Sequence, residues 1–156
     1  MSPALGKKLP NSVIQLPMRQ CEVGEVLIHE GSETEKIFFL IDGELLISKQ
    51  GIEITVVTSP GAVFGELSHL TGKSTSAEVV ATKPTSVHMA DSPKEFLESN
   101  PDALYYVAQI LAARLVKMNS YLVDSRKQYT DREADLGMLD LMVDRIISSH
   151  PESEQR

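Results

Sequence analysis

Pro60-Gly61-Ala62-Val63-Phe64-Gly65-Glu66-Leu67-Ser68-His69-Leu70, running on through Thr71-Gly72-Lys73-Ser74-Thr75-Ser76-Ala77-Glu78-Val79-Val80-Ala81, is the stretch on which the fold of this 156-residue chain turns. It reads as a strand, a glycine, a short turn of helix, and a hydroxyl-rich loop returning to a strand. Gly65 opens the turn, because a residue without Cβ lets the backbone approach a ligand closely. Free N–H groups at the start of a helical turn attract anions. Ser74, Thr75 and Ser76 are expected to form a ring of hydroxyls facing the same region. Glu66 is an odd choice beside an anion and makes sense if its partner is a sugar hydroxyl.

Working outward, residues from about Val23 to Ala90 are rich in Val, Ile, Phe and Thr, with glycines at 24, 31, 43, 51, 61, 65 and 72. Short apolar runs between turn residues predict an all-β sandwich or barrel. Strands are expected near Val26–His29, Lys36–Asp42, Glu44–Lys49, Glu53–Val57, Ala77–Ala81 and Thr85–Ala90. Asp42-Gly43 reads as a tight hairpin turn and Gln50-Gly51 as another.

The texture changes at Asp91. Ser92-Pro93-Lys94-Glu95 offers a cap, a proline at the first helical position and a glutamate to close a capping box. A helix over Pro93–Ser99 is expected. Asn100-Pro101-Asp102 repeats the device and opens a longer helix to about Gln128. That helix carries Leu104, Ala108, Leu111, Leu115, Met118 and Leu122 at alternating spacings of three and four, with Val107, Ile110 and Arg114 on a neighbouring face. Such a stripe packs into its own core or pairs with a second copy of the chain, and a homodimer is the preferred expectation. A further helix is expected over Leu136–Ser149. The organisation read from this is a lead over 1–20, a β-roll with hinge and long helix over 21–128, and a final helix with a polar tail over 129–156.

Composition narrows the function. Apolar residues make up 42% and charged residues 24%, ordinary for a globular chain. No apolar run approaches the roughly 20 residues of a membrane span, and MSPALGKKLP lacks a signal-peptide core. The single cysteine, Cys21, builds no disulfide framework, so a cytoplasmic location is expected. The net charge of −7 and pI near 5.1 run against nucleic-acid binding. The four histidines show no metal-like spacing; His29 and His88 read as sheet positions and His69 as half-exposed. Asp102, Asp124, Asp131, Asp135 and Asp140 read as a solvated helical face. No nucleophile elbow or Walker-type loop is present, so no catalytic residue and no metal or cofactor are expected.

The 60–81 segment resembles the phosphate-binding cassette of cyclic nucleotide-binding domains, including the sensor half of catabolite activator-type (Crp/Fnr) regulators. That family's pattern runs Phe-Gly-Glu-Leu, a short helix, then Arg-(Ser/Thr/Ala)-Ala. This chain has Phe64-Gly65-Glu66-Leu67 and, at the matching spacing, Thr75-Ser76-Ala77. Gly24-Glu25, Gly31, Phe39-Leu40-Ile41, Gly43 and Pro60-Gly61 fall where the family turns its strands, and Asn100-Pro101-Asp102 with the long helix matches its hinge and C-helix. The resemblance covers about Val23 to Leu122. It implies an α+β fold: an antiparallel β-roll or jelly-roll (double-stranded β-helix), then a long C-terminal helix and one further helix.

The resemblance also implies roles. Glu66 would hold a ribose 2′-hydroxyl. Gly65, Leu67 and Ser68 would offer backbone groups to ribose and phosphate, and Ser76 a hydroxyl to the cyclic phosphate. Met118 and Asn119 stand where the C-helix meets the purine. The family's phosphate arginine is absent, and Thr75 takes its place. A charge-assisted hydrogen bond is worth about 1.5–3 kcal/mol, so its loss weakens a cyclic nucleotide by about ten- to several hundred-fold. Lys73 either reaches the phosphate as a flexible point charge or is a solvated loop lysine. The expected function is a non-catalytic sensor of cAMP or cGMP, signalling through its C-terminal helices to a partner protein. The alternatives are a degenerate domain kept as a dimeric interaction module, or a site for another anion or a dinucleotide. Met138-Leu139-Asp140 resembles the start of a helix-turn-helix, but no recognition helix follows, so DNA binding by this chain alone is not expected.

Overall fold

A computed structural model describes residues 8–33, 35–130 and 145–147. The chain falls into two compact units, one up to Ala112 and one from Ala113. The first holds a short helix α1 (Asn11–Ile14), strands β1 (Met18–Cys21), β2 (Val26–Ile28), β3 (Ile37–Asp42), β4 (Leu45–Lys49), β5 (Ile52–Val57) and β6 (Val63–Phe64), helix α2 (Glu66–Thr71), strands β7 (Glu78–Ala81) and β8 (Thr85–Ala90), and helix α3 (Pro93–Ser99). Helix α4 (Pro101–Thr130) begins in the first unit and runs on into the second.

The strands form two antiparallel four-stranded sheets, ordered β1-β8-β3-β6 and β2-β7-β4-β5. This is the antiparallel β-roll with C-terminal helices that the sequence predicts. Between the sheets lie Phe38, Leu40, Leu45, Val57, Phe64 and Val79, all buried. The first sheet is covered on its other face as well. There Ile37, Phe39, Val63 and Ala90 pack against Val13, Leu97, Ala103, Tyr106, Val107 and Ile110. Burial on both faces explains why β3 reads Ile-Phe-Phe-Leu without polar alternation, every one of those residues being at most 1% exposed.

Several local expectations change. Gln50-Gly51 does turn β4 into β5, with Lys49 opposite Ile52 and left-handed backbone at both turn residues. Asp42-Gly43 is not a hairpin: β3 and β4 lie in different sheets, and the chain crosses between them beside Pro84 and Thr85. The crossing is anchored by the Glu44 N–H, which donates to Thr85 Oγ1 at 3.1 Å. Strand β1 and helix α1 add to the expected elements, and the strand expected before Gly65 is the two-residue β6. They are short, and α1 and all of β1 but Cys21 fall within the expected lead, where Val13 is fully buried and His88 Nδ1 bonds the Leu16 carbonyl at 3.1 Å.

Helix α3 has the expected bounds, but Ser92 makes no side-chain cap bond, so the capping box does not form. The Asn100 side chain turns back to donate to the Phe96 carbonyl at 2.7 Å, closing α3, while its own carbonyl accepts from Leu104 N–H in the first turn of α4. On α4 the face packed in the first unit is Ala103, Tyr106, Val107 and Ile110. The expected stripe lies beside it, with Leu104, Leu115 and Met118 exposed. The helix expected over Leu136–Ser149 lies outside the described residues apart from 145–147, which are helical.

Candidate functional site

The 60–81 segment folds as one continuous cassette on the first unit. Strand β6 pairs with β3, Phe38 opposite Phe64 and Phe39 opposite Val63. At its end Gly65 takes a left-handed conformation (φ 87°), and a Cβ there would overlap the Lys36 carbonyl oxygen. Both the backbone angle and the close approach therefore require glycine. The chain then turns into α2, and Gly72 closes it through an N–H donated to the Ser68 carbonyl at 3.0 Å.

Glu66 opens α2 and is buried, only 2% exposed. A carboxylate in the first turn is favoured by the helix dipole. The Phe64 side chain sits in the inter-sheet core, so that residue anchors the cassette by packing. Leu67 is exposed, while Ser68 donates its hydroxyl to the Lys73 carbonyl at 2.6 Å and so shapes the loop after α2. Lys73 is an exposed side chain on that loop, Ser76 is exposed and Ala77 half-buried. Glu78 pairs with Ser48 on the face of the sheet turned away from Val79 and the core, which makes it an outward strand position.

Thr75 departs from the expected ring of hydroxyls. Its neighbours Ser74 and Ser76 are exposed, but Thr75 is only 7% exposed and faces the loop between β2 and β3. Its hydroxyl donates to the His29 carbonyl at 2.5 Å and accepts from the Ser32 N–H at 3.0 Å. The backbone repeats the link: Thr75 N–H donates to the Ser32 carbonyl at 2.9 Å, and Gly31 N–H to the Thr75 carbonyl at 2.8 Å. Alternate residues of an extended loop point opposite ways, so three consecutive hydroxyls cannot share one face. Residue 75 thus clasps the descending limb of the cassette to the 29–32 loop.

The leading end of the cassette is tied elsewhere. Tyr106 of α4, 6% exposed, donates its hydroxyl to the Gly61 carbonyl at 2.8 Å. Burial raises the pKa of this phenol, keeping it in the donating form. Neither this link nor the Thr75 clasp was legible in the sequence; the one available signal was a tyrosine one turn into a helix, off the apolar stripe. Met118 and Asn119 belong to the second unit, where both are exposed. His69 is half-buried and lines a groove of about 520 Å³ with Glu35, Pro93, Lys94, Glu95 and Glu98, an acidic surface ill suited to a phosphate. Among the described residues no group of three or more His, Cys, Asp or Glu side chains is arranged to hold a metal ion.

The sequence profile of the cyclic nucleotide-binding domain matches residues 18–98, more than half of the chain. The chain belongs to the cyclic nucleotide-binding domain family. It is 32% identical over 81 residues to a cAMP-dependent protein kinase regulatory subunit of Yarrowia lipolytica, covering 51% of this chain and 21% of that one. It is 28% identical over 119 residues to the global nitrogen regulator of Synechococcus elongatus, covering 71% of this chain and 54% of that one. The chain thus spans about half the length of the nitrogen regulator and a fifth of the kinase subunit. Its fold is shared with the Thermus thermophilus catabolite activator protein, at a TM-score of 0.62 and 17% identity over 92% of this chain and 82% of that one. The matched span of this cyclic nucleotide-binding domain starts at β1 and ends in α3, so both ties on the cassette, Thr75 to the 29–32 loop and Gly61 to Tyr106, start from within it.

Proposed function

We propose that this cyclic nucleotide-binding domain is a non-catalytic regulatory module that senses cAMP or cGMP at the 64–77 cassette and passes the signal through its C-terminal helices to a partner protein. The observation that carries this reading is Glu66: a buried carboxylate immediately after the left-handed Gly65, at the head of α2. By the family resemblance, that carboxylate stands where a ribose hydroxyl would be held. Backbone groups of Gly65, Leu67 and Ser68 would meet the ribose and phosphate, Ser76 and Lys73 would face the phosphate from the exposed loop, and Met118 and Asn119 would meet the base. The buried free Cys21 is in keeping with a cytoplasmic location.

The exposed stripe of α4 supports pairing of two copies. Leu115 and Met118 are each 59% exposed and continue the spacing of Leu104, Ala108 and Leu111. Apolar positions repeated every three and four residues are the pattern of a helix–helix seam.

One observation favours a second reading, in which the domain binds nucleotide weakly or not at all and acts as a dimeric interaction module. At the position the resemblance gives to the phosphate arginine, Thr75 carries no charge and spends its hydroxyl on His29 and Ser32. Calorimetric titration with cAMP and cGMP separates the two. Saturable heat that falls at least about tenfold in apparent affinity in Glu66→Gln supports the sensor. No heat and no thermal shift at millimolar ligand leaves the interaction module.

A further inference from the structure

Gly61 is held from two sides. Its N–H donates to the Leu40 carbonyl of β3 at 2.7 Å, and its carbonyl accepts the Tyr106 hydroxyl of α4 at 2.8 Å. A Cβ on Gly61 would overlap that hydroxyl, and φ is +89°, so glycine here lets the helix side chain rest directly on the turn. The next residue is fixed as well, Leu40 N–H donating to the Ala62 carbonyl at 2.8 Å. From Ala62 the chain passes through the two buried residues of β6, Val63 and Phe64, to Gly65 and Glu66. This run is extended and packed on both faces, so it has no slack in which a displacement of the cassette can be absorbed.

The rest of the α4 contact is of another kind. Ala103, Val107 and Ile110 meet the first sheet through apolar packing, which is non-directional and tolerates small sliding. A hydroxyl–carbonyl bond weakens steeply with distance and angle. The Tyr106 ring is itself oriented by Phe39, with centroids 6.5 Å apart and planes tilted by 44°. The hydroxyl therefore reports the position of one carbonyl, four residues ahead of the cassette glycine.

We infer that Tyr106 is a positioning residue that couples the cassette to the long helix, through its hydroxyl on the Gly61 carbonyl. Displacing Gly65 and Glu66 moves the 61–64 run, and the bond passes that shift to the first turns of α4. The inference rests on the regulatory reading above for its purpose, but not for its test. Amide hydrogen exchange of residues 103–110 is measured without nucleotide in four proteins: the natural chain, Thr75→Ala, Tyr106→Phe and the double variant. Thr75→Ala loosens the far limb of the cassette, and Tyr106→Phe deletes one oxygen while keeping the ring on Phe39. In the natural background Thr75→Ala is expected to speed exchange at 103–110 by about threefold or more, and in the Tyr106→Phe background to leave it unchanged. An equal response in both backgrounds, or none in the natural one, overturns the coupling. Should Tyr106→Phe fail to fold, the Gly61 carbonyl ¹³C shift decides: movement on Thr75→Ala supports the coupling, and a fixed shift overturns it. Because no nucleotide is added, a domain that never binds cAMP or cGMP still passes or fails this test on its own.

Discussion

Residue 75 sets stability against affinity, and two substitutions there separate the terms. Thr75→Val keeps the shape and both backbone bonds to the 29–32 loop but removes the hydroxyl that donates to His29 and accepts from Ser32. Each such bond contributes about 1 kcal/mol net. His29 is exposed and Ser32 half-buried, so water replaces part of the loss, and about 1–2 kcal/mol is expected in all. That corresponds to a melting temperature lower by about 3–8 °C. Thr75→Arg loses the bond accepted from the Ser32 N–H, since a guanidinium accepts no hydrogen bond, and its larger side chain does not fit the 7%-exposed position of the threonine, so it destabilises as well. In return it brings a fork of donors to a position where the family resemblance places the cyclic phosphate. A charge-assisted bond of about 1.5–3 kcal/mol then raises affinity for cAMP or cGMP by about ten- to a hundred-fold or more. Urea titration at constant m reads the first effect and calorimetry the second. A Thr75→Val protein as stable as the natural one refutes the clasp. A Thr75→Arg protein that folds but binds no better refutes the placement of the phosphate beside residue 75.

Other expectations follow from the same geometry. Gly65→Ala forces a side chain onto the Lys36 carbonyl at a left-handed φ and is expected to cost about 2–4 kcal/mol in urea unfolding; an unchanged midpoint contradicts the described turn. Leu115→Glu with Met118→Glu places charge on the exposed stripe of α4, and analytical ultracentrifugation should show a concentration-dependent dimer in the natural chain and a monomer in the variant; identical masses remove the helix seam. Asp102 accepts the Ser12 hydroxyl at 2.8 Å, and that bond holds its carboxyl below the ordinary value. A depressed folded pKa stabilises fully above the unfolded value of about 3.9 and is lost as pH falls through the folded one. The gap in urea midpoint between the natural chain and Asp102→Asn should therefore be full at pH 6 and shrink below about pH 4; a gap equally wide at pH 3 assigns it to something other than the charge.

Much of the cassette was legible because its geometry is local. A left-handed turn after a short strand demands glycine, a carboxylate suits the first turn of a helix, and both requirements are met within three residues, Phe64-Gly65-Glu66. The strands from β2 to β8 showed for a similar reason, since turn residues bracket short apolar runs, and the helix bounds followed Pro93 and Pro101. Strand β1 escaped because Met-Arg-Gln-Cys carries no apolar alternation and owes its place to pairing with β8.

By itself the sequence determined the β-roll with its helical tail, the cassette motif and the family, all of which depend on neighbours a few residues apart. The tertiary structure alone decided which sheet each strand joins, and so turned Asp42-Gly43 from a hairpin into a crossing. It also decided that α4 packs in the first unit through Ala103, Tyr106, Val107 and Ile110, with Leu111 half-buried beside them, and leaves Leu104, Leu115 and Met118 of its apolar stripe exposed. Most of all it decided what Thr75 and Tyr106 do. Their partners stand 46 and 45 residues away, and a hydroxyl in a sequence does not say which distant carbonyl the folded chain brings within 3 Å of it.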